Sequence, residues 1–437
     1  MVHTESLSPP KIQKRANTTY PVWGLVVVMA LLYLRPFTTP VMNDLAFAIC
    51  VYRVIRYDEK VFAVDYVSLI PFAELFQTQN DFSMLQYLCI LAAFWYLIRN
   101  GVRVSIALIT LVILANYFLL RCQWEFGKVL ICFSPLLLLL VLLPAQDAEN
   151  CVLLAKAFCA SLLLSAAYAF LLRDTPQLEA LRGAEVPAFW GSTTMRFQGL
   201  FGDPNYFMAI ITMALTLVIR LYCCNQIQPV VFWVSIAALL TTGLATLSKT
   251  FLVFFIVVMA LYFLRELVHR DRQTHPGMLL LLVLALVLMI QVDDSIASVA
   301  WERLTRANDL DELTTGRSHI FSTYLQKIFE TPVTLLFGVG LGTAGLERDT
   351  HNLFLEVIYY TGLTGMGLLV AYSGALIHLL HSSSGLWPKN SPTFRYTTLI
   401  AAIIVFCTLH GMFSILPYMM LFLSFVCMII PDRKGVM

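Results

Sequence analysis

Charge is what this sequence has least of. Asp, Glu, Lys and Arg make up 13% of its 437 residues, against about 25% in an ordinary soluble domain. That scarcity excludes a conventional water-soluble globule. The formal net charge is only +2, and no nucleic-acid partner is expected. Short alternating strand-like segments are missing too, which excludes a membrane β-barrel. The ten cysteines include no CxxC and no finger-like Cys/His spacing, so a zinc-finger or thioredoxin-type site is excluded. Most lie within apolar runs or at their ends, as does the adjacent pair Cys223-Cys224, and read as small apolar residues. No carboxylate cluster resembles a metal site, so neither a metal nor another cofactor is expected. "FGVGLG" is glycine-rich but lacks the Lys-Ser/Thr of a P-loop and reads as a turn.

Apolar residues are abundant, at 59%. Spans can be drawn at 21–34, 38–54, 61–77, 84–98, 102–120, 128–144, 151–172, 205–220, 229–247, 250–264, 277–291, 353–380, 396–413 and 416–430. This predicts an all-α polytopic membrane protein with about 12–14 transmembrane helices, folded as one integral membrane domain over 1–437. The N-terminal apolar run is followed by Arg35-Pro36 instead of a small-x-small cleavage site, so it is read as a retained first helix.

Lys and Arg then set the orientation. With the N-terminus cytoplasmic, the inner loops hold Lys11, Lys14, Arg15, Arg53, Arg56, Lys60, Arg99, Arg103, Lys156, Arg220, Arg265, Arg270, Arg272, Lys389, Arg395, Arg433 and Lys434. Short loops dense in Lys and Arg face the cytoplasm. The C-terminal "PDRKGVM" falls on the same side. Two long polar segments fall on the other side: a first outer loop at 173–204 and a second at 291–352. In the second, Ile320, Phe321, Tyr324, Leu325 and Ile328 recur at helical spacing after a helix start at Thr314-Thr315-Gly316. This loop is expected to form a small helical cap.

Polar residues of interest gather on that outer side. The first loop carries Arg196, Asp203 and Asn205; the second carries Arg317, Arg348 and His351; Lys249 sits at a hairpin between two spans. Each has a structural reading. Arg196 suits a snorkelling loop arginine. Lys249 suits an interfacial lysine, although a cation within an apolar stretch is costly and usually functional. Arg317 could pair with Asp311 or Glu312. His351 could be a satisfied structural histidine, and Asn352 an N-cap. Together they suit something more. Cations near a histidine fit an anionic leaving group such as a diphosphate. Histidine has a pKa suited to taking a proton from a hydroxyl near neutral pH.

The segments "RFQGLFGDPNYF", "SKT", "GRSHIF", "PVTLLFGVGLG" and "THNLFLEVIYYTGLTGMGLL" occur in the order expected of the O-antigen ligase and polymerase superfamily. From Arg196 to Leu369 the chain resembles that family of bacterial membrane glycosyltransferases. The resemblance implies a multi-helix, GT-C-like enzyme with a large extracytoplasmic loop in the bacterial cytoplasmic (inner) membrane. Its donor would be a glycan on undecaprenyl diphosphate, transferred to an acceptor hydroxyl without a metal. Carried over by residue, Arg196, Lys249 and Arg317 would hold the diphosphate and His351 would be the base. Asn352 would orient the acceptor or the loop, and Asp203, Asn205 and Arg348 would support the site. Ser248-Lys249-Thr250 departs from the family's frequent Ser-Arg-Thr; lysine keeps the charge and loses arginine's bidentate fork.

The leading expectation is a polysaccharide polymerase joining lipid-diphosphate-linked repeat units during capsule, exopolysaccharide or O-antigen assembly. Its partners would be donor and acceptor glycans, the lipid bilayer, and a chain-length regulator or other assembly proteins. The alternative is a ligase moving finished glycan to lipid A core or another acceptor. A transporter or flippase is less favoured, because no internal repeat shows and the charges sit at one face.

Overall fold

A backbone in lipid must satisfy its own hydrogen bonds, and long apolar runs do so as helices. The computed structural model describes residues 20–77, 83–101, 104–122, 126–188, 194–268, 317–341, 350–384, 396–409 and 415–431. Among them every regular element is helical; three isolated bridges are the only strand-like pairings. The helices are α1 (Val22–Leu34), α2 (Val41–Arg56), α3 (Glu59–Leu69), α4 (Met84–Asn100), α5 (Ile106–Leu120), α6 (Phe126–Ala145), α7 (Ala148–Leu171), α8 (Pro176–Arg182), α9 (Pro204–Cys223), α10 (Pro229–Ala245) and α11 (Lys249–Val268). After a gap in the described residues follow α12 (Arg317–Ile328), α13 (Pro332–Phe337), α14 (Leu353–Ser384), α15 (Thr397–Phe406) and α16 (Ile415–Ile429).

The helix α7, the helix α9 and the Leu353–Leu380 stretch of α14 are long and apolar enough to cross a membrane. The others are shorter or run beyond the described side chains, and the all-helical architecture is that of a helical membrane protein. The expected span 277–291 lies outside the described residues. The span expected at 396–413 is shorter, with a ten-residue helix α15. The span 61–77 becomes α3 plus a 3-10 turn at Ile70–Phe72.

Polar contacts between turns sort the helix ends into two sets. At one end Lys60 pairs with Asp147, Arg99 Nη1 donates to Tyr57 O (2.7 Å), and Gln226 Nε2 donates to Pro431 O (3.0 Å). At the other, Asn43 Nδ2 donates to Gln77 O (3.3 Å), Phe197 N to Ala245 O (2.9 Å) and Leu341 N to Arg121 O (2.9 Å). This is the pattern of helices running alternately up and down. Arg53, expected in a loop, lies in α2. It is buried and forked onto Asp65 of α3 at 2.7 and 2.8 Å. Breaking such a buried pair by removing one partner costs about 3–5 kcal/mol.

The expected continuous span at 353–380 is broken. Gly362 has φ 67° and ψ −175°, so α14 is two helices joined at a kink. Only glycine takes that backbone without strain. A Cβ there would also lie 2.3 Å from Leu336 O. The carbonyls the kink releases find other donors. Val339 N and Gly340 N donate to Tyr359 O and Tyr360 O at 2.9 and 3.0 Å, and the Tyr117 hydroxyl donates to Thr361 O at 2.6 Å. The 337–341 part of "FGVGLG" is therefore the strap that closes this break, with those two amides committed to it.

The cap helix forms as its spacing predicts. Ile320, Tyr324 and Ile328 are buried against Tyr359 in a small cluster of their own, and the Tyr324 and Tyr359 rings meet edge-on at 4.7 Å. Leu325, expected on the same face, is exposed. The expected helix start at Thr314-Thr315-Gly316 lies outside the described residues.

Candidate active site

The segment between α8 and α9 packs its aromatic residues on α9. Phe197 and Phe201 lie against Phe207 of α9, with ring centroids 5.6 and 6.1 Å apart. Gly199 has φ 61°, and a Cβ on it would strike the Phe207 ring at 2.5 Å. Arg182 Nη1 holds the Gly199 carbonyl at 2.7 Å, and Glu185 takes both Arg173 (2.6 Å) and Arg182 (3.1 Å). These clamps fix the backbone that carries Arg196.

Arg196 is buried, with Nε donating to Thr246 O and Nη2 to Asn205 Oδ1, both at 2.9 Å. Those acceptors belong to the α10–α11 hairpin and to the first turn of α9. One guanidinium thus ties the loop to two helix ends. Asn205 also receives the Ser248 hydroxyl at 3.5 Å, beside Lys249. Asp203 caps α9, its Oδ1 accepting from Asn205 N at 2.6 Å.

Lys249 is the first residue of α11, and the residue two before it, Leu247, has φ 49°. Gly243 permits this tight hairpin, since a Cβ there would lie 2.2 Å from the Phe251 ring. A lysine at a helix N-terminus opposes the helix dipole, and both favour an anion nearby. Arg317 lies in α12. Burial pulls its pKa down, and the Asp203 carboxylate, close enough to act on it, pushes the other way. An arginine keeps its charge under such a shift. The pairing foreseen with Asp311 or Glu312 lies outside the described residues; among the described residues, Asp203 is the carboxylate that acts on Arg317.

His351 is half-buried with φ 47°, a left-handed backbone uncommon for a non-glycine residue, costing of order 1 kcal/mol. Asn352 caps α14, its Oδ1 accepting from Leu355 N at 3.0 Å, and the buried Thr350 hydroxyl donates to Asn352 O at 3.0 Å. The structural reading of Asn352 as an N-cap is therefore correct. Arg348 lies outside the described residues.

The structure brings Arg196, Asp203, Asn205, Lys249 and Arg317 to one end of the bundle. His351 stands just before α14, the helix against which α12 packs. It lies eight residues before Tyr359 and Arg317 seven before Tyr324, the two rings in contact. At ~1.5 Å per residue each is about 10–12 Å along its helix from that contact. Sequence reasoning missed Thr246, whose carbonyl holds Arg196, and the Arg173–Glu185–Arg182 clamp. A backbone acceptor leaves no sequence signal. Glu185 at i+3 from Arg182 was a weak one.

Comparison with protein families, with curated proteins and with solved structures found no match.

Proposed function

We propose that this protein is a membrane glycosyltransferase that polymerises undecaprenyl-diphosphate-linked repeat units at the outer face of a bacterial cytoplasmic membrane. One observation carries the reading. Three helix N-termini, those of α9, α11 and α14, hold the motif residues Asp203 and Asn205, Lys249, and His351 and Asn352, and α12 carries Arg317. Three of these four helices are joined by the Asn205–Ser248 contact and the influence of Asp203 on Arg317. Positive helix ends supplemented by cations suit a diphosphate.

In the reaction, an acceptor hydroxyl attacks the anomeric carbon of the donor. The bond from that carbon to the diphosphate oxygen breaks. His351 takes the hydroxyl proton, which gives the attacking oxygen its electron pair. The diphosphate leaves as an anion, with Arg196, Lys249 and Arg317 stabilising the charge that develops on it. The cytoplasmic face would be the end with Lys60, Arg99 and Arg220, which also agrees with the positive-inside rule. Partners would be the donor and acceptor glycans, the bilayer and a chain-length regulator.

The test is purified protein given only lipid-diphosphate repeat units. A ladder of glycan lengths is expected. No elongation without a second acceptor would overturn the polymerase reading in favour of a ligase.

A further inference from the structure

The second outer loop exposes apolar side chains where a water-facing cap should be polar. In and around α13, Leu325, Phe329, Val333, Leu336 and Phe337 are all exposed, Phe329 at 65% and Val333 at 62%. The helix α13 buries no side chain at all. Polar residues take the other positions of the same turn: Gln326, Lys327, Glu330 and Thr331 are exposed, with Lys327 paired to Glu330 at 3.1 Å.

The depth of this patch can be read from what it touches. The Tyr117 hydroxyl, in the last turn of α5, donates to Phe337 O at 3.2 Å and to Thr361 O at 2.6 Å. Leu336 O lies against Gly362. So α13 sits beside the last turn of α5 and the break in α14. The eighteen residues from Leu363 to Leu380 span about 27 Å at ~1.5 Å per residue, close to the ~30 Å hydrocarbon thickness. A crossing by the part of α14 after the break would put Gly362 at the edge of the hydrocarbon. The neighbouring surfaces are lipid-like as well, with Leu119, Leu120 and Leu363 exposed and Leu120 at 85%. Tyr117, Tyr359 and Tyr360 stand at this level, as aromatic residues do at membrane interfaces.

We infer that the 325–337 segment is an interfacial anchor, its apolar face laid into the bilayer boundary and continuous with the lipid-facing sides of α5 and α14. The occupant of the patch is lipid. Such a segment binds by its buried apolar area while its polar side stays in the headgroups. The anchor fixes the height of α12, and with it Arg317, relative to the membrane surface. The inference stands on the geometry of α5, α13 and α14 and does not require the glycosyltransferase reading.

The experiment uses the full-length protein in phosphatidylethanolamine–phosphatidylglycerol nanodiscs. Val333→Cys, Leu336→Cys and, as polar reference, Glu330→Cys are each labelled with an environment-sensitive fluorophore. Signal from native cysteines is subtracted using the unsubstituted protein. All three positions are exposed or bury no side chain, so folding is undisturbed. Doxyl-labelled lipid should quench positions 333 and 336 several-fold more than 330, and aqueous iodide should do the reverse. Equal iodide quenching at all three sites would overturn the anchor. Protection of 333 and 336 from both quenchers would also overturn it, showing that protein covers the patch.

Discussion

The two ends of the bundle use the same residue types for different work. At the Lys60 end, cations are held by carboxylates or spent on helix ends. Lys60 pairs with Asp147, and Arg220, fully buried, donates to Ile430 O at 2.8 Å. Nearby, Arg53 forks onto Asp65. At the opposite end, Arg196 spends two donors on neutral oxygens, those of Thr246 and Asn205, and these bonds orient its fork without altering its charge. Lys249 opens α11, where a cation opposes the local dipole. Placement that is unfavourable for a helix alone is what an anionic ligand would reward. A cation set against a helix dipole, more than its burial, marks a binding role.

Substitutions at four positions break or sharpen this contrast, in descending order of effect. His351→Ala should lower polymer formation by about 10²- to 10⁴-fold while membrane abundance stays at the level of the unaltered protein. Normal glycan synthesis by that variant would remove the base. Arg53→Ala should do the opposite, destabilising the fold by about 3–5 kcal/mol, seen as lost abundance and an earlier thermal transition. Full stability would show the buried pair to be dispensable. Lys249→Ala should weaken donor use by roughly tenfold, the scale of one charge-assisted hydrogen bond, and Lys249→Arg should weaken it less. Equal losses in donor KM would mean that the site is tuned to lysine itself. Asn352→Ala removes only a cap, worth about 1 kcal/mol. It should raise hydrogen exchange in the first turn of α14 and leave the Lys60 end unchanged.

Much of the fold was legible because apolar length and helical period are local signals. The runs drawn at 84–98, 151–172 and 205–220 fall within α4, α7 and α9 to a residue or two. The break at Gly362 was not legible. Apolar residues continue across it, and glycine is common in membrane helices. What makes the break is a contact 26 residues earlier in the chain, at Leu336. Arg53 was misread for the same reason: its loop-like charge is answered by Asp65 on the next helix. At the site, Arg196, Asn205 and the Ser248 next to Lys249, all from motif segments, meet in the structure, because each sits at a helix start or on a short loop. The influence of Asp203 on Arg317 was not legible, because Asp203 is 114 residues away in sequence and acts across the fold. Leu325 shows the limit of periodicity. It follows the spacing of the cap's apolar face and is exposed, and its cover is outside the helix pair.

The central claim is that the Arg196–Lys249–Arg317 end binds a lipid diphosphate, and equilibrium binding of a prenyl diphosphate to purified protein tests it most directly. The account predicts that the double variant Lys249→Gln/Arg317→Gln binds at least tenfold more weakly, from about 1.5 kcal/mol or more per charged hydrogen bond, with an unchanged thermal transition. Unchanged affinity in a folded double variant would contradict it.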